Sequence, residues 1–358
     1  MSGIYGALGV SDTDRVFLST LGQSVVYDAI NKVIADYNAE LNAAKSLFVE
    51  KTTSDYKIRY KLPGGGKLQR LGNQAPSAAV KTTGQWDVAF PLEGFGAALG
   101  GNRVDMAYMT AQDLDRHLKT IFIQDANTVR FEMLKSILNS AQDTFVDPHW
   151  GSLSVEPLAN GDSVVFPPVL GSESEATDNH YLESGYLAAS ISDSNNPLVT
   201  GRDELEEHFG VVSGGSNILC FCNNAQREQL AALSDFVEVN DRFVAPGSAL
   251  SLAINLPSNV PGVPIGRSNG ITVVEWRWIP ANYLFFLHMD APKPLYERVD
   301  PADTGLPVGL TLVATDEEHP MESSYYEHRF GFGCANRLNG VVLELGTGGT
   351  YTVPTAYA

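Results

Sequence analysis

Between Thr110 and Gln142 the chain contains neither proline nor glycine, while Leu114, Leu118, Ile121, Phe122, Val129, Met133, Ile137, Leu138 and Ala141 recur at helical spacing. Thr110-Ala-Gln-Asp113 has the form of a capped start, and Pro148 lies beyond the far end. The spacing predicts a helix over residues 110–142, about 45 Å long at about 1.5 Å per residue, where globular helices average about 12 residues. A helix of that length is an axis on which other elements are arranged.

Upstream, Val26, Ile30, Val33, Ile34, Tyr37, Leu41, Ala44 and Phe48 draw one apolar face on a helix over residues 24–48, with Thr20 and Gln23 as a capping pair. The period then changes to two. Tyr56, Ile58, Tyr60 and Leu62 alternate with Lys57, Arg59 and Lys61, and Trp86, Val88, Phe90 and Leu92 alternate again. Between them lie Pro63-Gly-Gly-Gly66 and a stretch rich in Gly, Asn, Pro and Ser, far longer than a tight turn. The pattern predicts a long two-stranded arm with an extended tip. A lone ribbon has too little surface to bury by itself, so its aromatic and basic faces need partners outside the ribbon.

Charge gives that arm its character. The formal net charge is −18, yet residues 51–81 hold seven basic residues (Lys51, Lys57, Arg59, Lys61, Lys67, Arg70, Lys81) and one acid, Asp55, leaving 17 basic against 41 acidic residues elsewhere. An acidic body argues against nucleic acid as a tight ligand, because phosphate neutralisation needs basic surface. A neighbouring copy of the acidic body can supply the opposite charge, which favours orientation and encounter. A solvated basic hairpin and a nucleic-acid-binding hairpin are the alternatives.

At 358 residues, 44% apolar and 18% charged, the chain has room for two or three packed cores. The N-terminus lacks the basic start and apolar run of a secretory signal, and no stretch has the roughly 18 uncharged apolar residues of a membrane helix, so a soluble, non-secreted protein is expected. Cys220, Cys222 and Cys334 are too few for a disulfide framework. Cys220 and Cys222 would face one side of a buried strand, and with no second C-x-x-C or H-x-x-H nearby a metal site is not expected there.

Downstream, residues 151–180 read as loop-rich. A mixed α/β region begins near Tyr181: a helix over residues 203–209, a buried strand over 217–222, a helix over 226–233, and strands over 271–278 and 283–289. Residues 257–264 form an excursion. Strand-like runs over 310–314, 325–334 and 340–345 follow and are expected to rejoin the long helix.

No catalytic or metal-ligating set, and no cofactor, is expected. The seven histidines (117, 149, 180, 208, 288, 319, 328) are scattered singly without an H-E-x-x-H or triad-like signature, and each reads as a surface or satisfied structural histidine. The run Gly64 to Gly66 lacks the phosphate-loop pattern and does not lead into a helix. The acid pairs Glu206 with Glu207 and Glu317 with Glu318 are adjacent in sequence and face apart.

The order of parts resembles the major capsid proteins of tailed bacteriophages, whose fold is shared with encapsulins and the herpesvirus capsid floor. Trp276-Arg-Trp-Ile-Pro-Ala-Asn-Tyr-Leu284, Asn217-Ile-Leu-Cys-Phe221 and Arg337-Leu-Asn-Gly-Val-Val342 look like stretches of such subunits. The resemblance implies an α+β fold. Its parts would be an N-terminal arm and helix (1–50), an extended β-hairpin loop (51–93), a peripheral domain (94–180 and 291–358) carrying a spine helix (110–142), and an axial domain (181–290). It implies hexamers and pentamers tiling an icosahedral shell around double-stranded DNA that is enclosed without sequence-specific binding, with a portal, a separate scaffolding protein (the N-terminal arm being short) and a cement protein as partners. The chain would be a virion component assembled in the host bacterial cytoplasm. An encapsulin-like compartment shell and an unrecognised enzyme or binding module are the alternatives. Inter-subunit contact would fall on the extended loop, at Lys57, Arg59, Lys61, Lys67, Arg70, Lys81 and Trp86. Some members of that family join a loop lysine to a neighbour's asparagine, and Lys67 with Asn336 or Asn339 would be the residues used here. A tip lysine in an exposed salt bridge worth under about 1 kcal/mol is the plainer reading.

Overall fold

The reciprocal cap expected at Thr110 is present. In the computed structural model the Asp113 amide donates to Thr110 Oγ1 and the Thr110 amide to Asp113 Oδ2, each at 3.2 Å, so side chains satisfy two donors that a helix start leaves open. The helix spans Ala111–Leu138. It ends short of Gln142 because the Ala141 amide donates to Asn139 Oδ1 (2.9 Å) and no longer to the preceding turn. The structure describes residues 23–61, 68, 85–100, 108–209, 217–238, 260–313 and 323–358. Thr20 lies outside them. No helix among the described residues is long and apolar enough to cross a membrane.

In chain order the elements are α1 (Gln23–Lys45), β1 (Val49–Thr53), β2 (Lys57–Lys61), β3 (Gln85–Ala89), β4 (Glu93–Gly100), α2 (Ala111–Leu138), β5 (Asp143–Asp147), β6 (Gly151–Val155), β7 (Tyr181–Glu183) and α3 (Pro197–Phe209). There follow β8 (Ile218–Cys222), α4 (Arg227–Ala231), β9 (Val237–Glu238), β10 (Val263–Ser268), β11 (Ile271–Glu275), β12 (Tyr283–His288), β13 (Leu295–Arg298), β14 (Thr311–Val313), β15 (Ser323–Cys334) and β16 (Val341–Glu344). The chain divides into two compact units, and the division falls inside α2 and inside β15.

The smaller unit comprises residues 1–42, 93–130 and 300–330. Val26, Ile30 and Ile34 of α1 pack with Leu114, Leu118 and Ile121 of α2, and Leu310, Leu312 and Tyr326 complete the cluster. The strand runs near residue 310 and residue 325 thus rejoin the long helix, as expected, whereas the run over 340–345 is a strand of the seven-stranded sheet in the larger unit. The first half of β15 pairs antiparallel with β14 (Leu312↔Tyr326) and with β4 (Tyr326↔Ala97). The Asn38 side-chain amide closes onto Leu310 as a strand peptide would, accepting from its N–H (3.0 Å) and donating to its carbonyl (2.9 Å). Gly309 beside it has φ +89°, and a Cβ there would stand 2.9 Å from that amide; both backbone and space require glycine. Tyr37 stacks on Phe122 with ring centroids 4.5 Å apart, and its hydroxyl donates to Asp125 Oδ2 (2.7 Å), while His328 Nδ1 lies 2.7 Å from Asp125 Oδ1.

The larger unit comprises residues 43–92, 131–299 and 331–358. Its seven-stranded sheet runs β7-β16-β12-β8-β11-β10-β9, with β8 parallel to β11 and antiparallel to β12. All five β8 side chains are buried. Ile218, Cys220 and Cys222 pack on one side with Leu198 and Leu205 of α3, Leu230 of α4, Phe286 and Leu343. Phe221 sits against Phe285 and Trp276, with Phe48 joining them. Each such side chain contributes on the order of 2 kcal/mol by leaving water, which is why an uninterrupted apolar run becomes the sheet's centre. The cysteines are free and buried, as the same-face reading expects. Gly201 lets α3 approach the sheet: a Cβ there would stand 2.5 Å from the Phe286 ring. In this unit β13 pairs parallel with β1 and antiparallel with the second half of β15.

Two sequence expectations need correction in this unit. Residues 143–155 form a hairpin, β5 with β6, where no strand was expected and the chain from 151 was read as loop. Asp147 Oδ1 accepts from the His149 and Trp150 amides (2.8 and 3.1 Å) and Gly151 adopts φ +75°, so Asp147-Pro148 is a side-chain-closed turn. The helix expected from residue 203 begins at Pro197, where Asn196 Oδ1 accepts from the Leu198 amide (3.0 Å); proline suits the first helical position because its missing N–H would have no partner there.

Candidate functional site

The two expected strands of the extended arm pair in antiparallel register, Ile58↔Val88, Arg59↔Asp87, Tyr60↔Trp86 and Lys61↔Gln85. Period-two alternation sends Ile58, Tyr60, Trp86 and Val88 to one face, where they pack on Ala159, Phe166, Ala335 and Leu338. Trp86 is 8% exposed, stacks on Tyr60 at 5.3 Å and tilts onto Phe166 at 5.1 Å. The aromatic face therefore finds its partners outside the ribbon but inside the same chain. Trp86, expected at an inter-subunit contact, instead anchors the ribbon, because burying an indole against four side chains is worth more than leaving it for an encounter.

The other face is wet. Arg59 takes both oxygens of Asp87, Nε to Oδ1 at 2.6 Å and Nη2 to Oδ2 at 2.8 Å, and Lys57 Nζ stands 2.7 Å from Oδ2. The Arg59 hydrogen bonds, with Lys57 beside them, hold the Asp87 carboxyl well below the usual carboxylate range. Lys61 is exposed. The described part of the face thus offers Lys57, Arg59 and Lys61 with one of those charges cancelled locally. Strand pairing brings Asp87 opposite Arg59; the alternation around Trp86 could have placed Asp87 on the wet face, but not at this register. Lys67, Arg70 and Lys81 lie outside the described residues. Lys57, Arg59, Trp86, Ser152, Ser154 and Arg337 border a cleft of about 440 Å³ at the ribbon's base.

Arg337 ties down the floor of that cleft. It is fully buried, its Nε donates to the Pro157 carbonyl (2.7 Å), and its Nη2 lies 2.8 Å from Asp162 Oδ2. Of the two asparagines named for a cross-link, Asn339 is fully buried with its amide donating to the His288 and Pro292 carbonyls (3.0 and 2.8 Å) and accepting from the His288 amide (3.0 Å). Asn336 is half-buried and donates to the Pro292 carbonyl (2.8 Å). Sequence reasoning also missed that His180 and His208, 28 positions apart, meet on one oxygen of Asp178, at 3.0 and 2.5 Å.

No protein-family model and no curated sequence matches the chain, so its likenesses are structural. A chain of a structure titled "Mycobacterium phage Patience" superposes with a TM-score of 0.66 at 18% identity, covering 99% of this chain and 98% of that one. More distant are a "Capsid of native GTA particle" (TM-score 0.47, 12% identity, 85% and 90% covered) and the "bacteriophage PhiM1 mature capsid" (TM-score 0.47, 10% identity, 82% and 84% covered). The nearly end-to-end correspondence shows that the chain shares the mixed α+β fold of the Patience chain.

Proposed function

We propose that the chain is the major capsid subunit of a tailed-phage-like particle, assembling as hexamers and pentamers into an icosahedral shell that encloses double-stranded DNA. The correspondence with the Patience chain over both full lengths carries this reading. The arm 1–50, extended loop 51–93, peripheral regions 94–180 and 291–358 and axial region 181–290 are its proposed parts. Heterologous contacts that close into rings provide the symmetry such a shell needs. The subunit contact is assigned to the wet face of the ribbon, Lys57, Arg59 and Lys61, continued by Lys67, Arg70 and Lys81, lying on an acidic neighbour. Trp86 supports that face from beneath. A net charge of −18 suits a wall that encloses DNA without reading it. A separate scaffolding protein, a portal and a cement protein are the proposed partners, and the virion, assembled in the host bacterial cytoplasm, the proposed location.

Negative-stain microscopy of the expressed protein tests the reading. Closed particles or hexameric rings are expected. Discrete monomers alone, under ionic conditions that screen the charges, would overturn it. Extracting the particles and finding protein cargo in place of DNA would favour the compartment-shell alternative.

A further inference from the structure

Inside the larger unit, Asp178 divides its carboxylate unequally. Oδ1 accepts the Asn179 amide (2.8 Å), whereas Oδ2 faces two imidazole nitrogens, His180 Nε2 at 3.0 Å and His208 Nε2 at 2.5 Å. His180 is fully buried and the His208 side chain 5% exposed. His180 Nδ1 stands 2.8 Å from the Gly340 carbonyl. A carbonyl can only accept, so Nδ1 carries a proton, and a neutral His180 then points its Nε2 lone pair at a carboxylate oxygen. Two acceptors in contact need something positive between them: a second proton on the ring or a cation. A single divalent ion can take the Nε2 lone pairs of both rings, whose centroids are 5.4 Å apart, together with the carboxylate oxygen.

The surroundings suit the ion. An imidazole whose Nδ1–H is held by a backbone carbonyl is the arrangement that orients Nε2 toward a metal. Glu207 Oε1 lies 3.4 Å from His208 Nε2, adding a carboxylate at the open rim. Ligand atoms at about 2.0 Å around a tetrahedral ion stand about 3.3 Å apart; the 3.0 Å separation of Asp178 and His180 matches, the 2.5 Å pair of Asp178 and His208 has to open slightly, and the three residues bring one ligand atom each to a common point. The backbone holds the cluster in place, with the Gly161 amide on the Asp178 carbonyl (2.8 Å), the His180 amide on the Ala159 carbonyl (2.7 Å) and the Leu170 amide on the Glu207 carbonyl (2.7 Å).

We propose that Asp178, His180 and His208, with a solvent molecule completing the coordination and Glu207 beside it, form a site for a divalent transition-metal cation of the zinc class, which joins the segment ahead of β7 to the end of α3. Two imidazoles with a carboxylate select this class over magnesium or calcium, which take oxygen ligands. The site stands on this geometry whether or not the chain builds a shell.

The test uses the full-length protein, stripped with a chelator and dialysed. Titrated Co²⁺ is expected to bind at one equivalent per chain with the strong visible absorption of a four-coordinate ion, and Zn²⁺ to displace it. His208→Gln should leave the circular dichroism unchanged and weaken binding by at least about 100-fold, more than the loss of an outer-shell partner, whereas His117→Gln, on an exposed position of α2, should leave it unchanged. Should His208→Gln perturb folding, Glu207→Gln at the open rim serves instead, with binding weakened about 10-fold or more expected. The proposal is overturned by the absence of saturable binding, by the weak absorption of a six-coordinate ion, or by binding that is unchanged in both variants.

Discussion

Asp125 in the smaller unit and Asp178 in the larger each meet two ring-bearing side chains, but they divide them differently. Asp125 gives one oxygen to the Tyr37 hydroxyl and the other to His328 Nδ1. Asp178 sets two imidazole nitrogens on the same oxygen. The first carboxylate has one partner per oxygen and serves as structure: burial, reinforced by Asp125, pushes the Tyr37 hydroxyl far above its usual range, so it stays a donor. In the second, His180 holds the Gly340 carbonyl with Nδ1 and turns Nε2 to the oxygen that His208 also meets. Counting partners atom by atom, and not residue by residue, tells a finished network from an open one.

The comparison can be broken at its firmest point. Asp125→Ala should cost about 3 kcal/mol of unfolding free energy, since it strands the buried His328 imidazole and leaves the Tyr37 hydroxyl only the Phe122 carbonyl at 3.1 Å. Asp125→Asn, which keeps one acceptor, should cost less. Urea unfolding of the unassembled subunit measures both, and the losses should be identical with chelator and with Zn²⁺. The open cluster should behave in the opposite way. Zn²⁺ at about 100 times its dissociation constant should stabilise the wild-type chain by about 2.7 kcal/mol, and Asp178→Asn should abolish the metal-dependent part; equal metal responses in the two proteins would erase the distinction.

Asp87 supplies the third, exposed arrangement, with two cations on one carboxylate. Reversing Lys57, Arg59 and Lys61 to glutamate alone would also break the ribbon's own ion pairs. Adding Asp87→Lys to those three changes restores a local pair while inverting the outward charge. This fourfold variant should fold normally and lower particle yield by about tenfold, equivalent to about 1.4 kcal/mol; normal yield on a microscope grid would remove the contact role from this face. The smallest effect concerns acid. Because the Asp87 carboxyl is held below its unfolded-state pKa, its contribution is full above about pH 4 and fades as pH falls further. Asp87→Asn should remove that dependence, by less than about 1 kcal/mol for so exposed a pair, in unfolding curves collected between pH 5 and pH 2.

What could be read in advance was whatever a single segment decides for itself. The cap at Thr110 and Asp113, the apolar stripe of α2, the ribbon's alternation and the buried run of β8 are local signals, and each appears at its expected place. β4 was missed because Glu93-Gly-Phe-Gly-Ala-Ala-Leu-Gly100 has little strand propensity and is a strand by virtue of its eight pairings with β15. The β5–β6 hairpin did carry a signal, Asp147-Pro148 before Gly151, but the helical period upstream obscured it. The Asp87 ion pairs depend on strand register, which alternation leaves open. The His180 and His208 meeting depends on packing a loop against a helix 28 positions away, and no spacing rule spans that distance.

The buried thiols carry one more consequence. Cys220 and Cys334 are wholly enclosed, and burial pushes the thiols of Cys222 and Cys334 up to about 12, leaving almost no thiolate to react at neutral pH. Cys220 and Cys222 stand two residues apart on one face of an extended strand, about 6.6 Å along it, near the limit a disulfide can span. A particle made of this subunit would therefore pass from a reducing cell interior to an oxidising exterior with its covalent structure unaltered. Its durability outside the cell would rest on packing and charge, and a reductant would have no bond to cut.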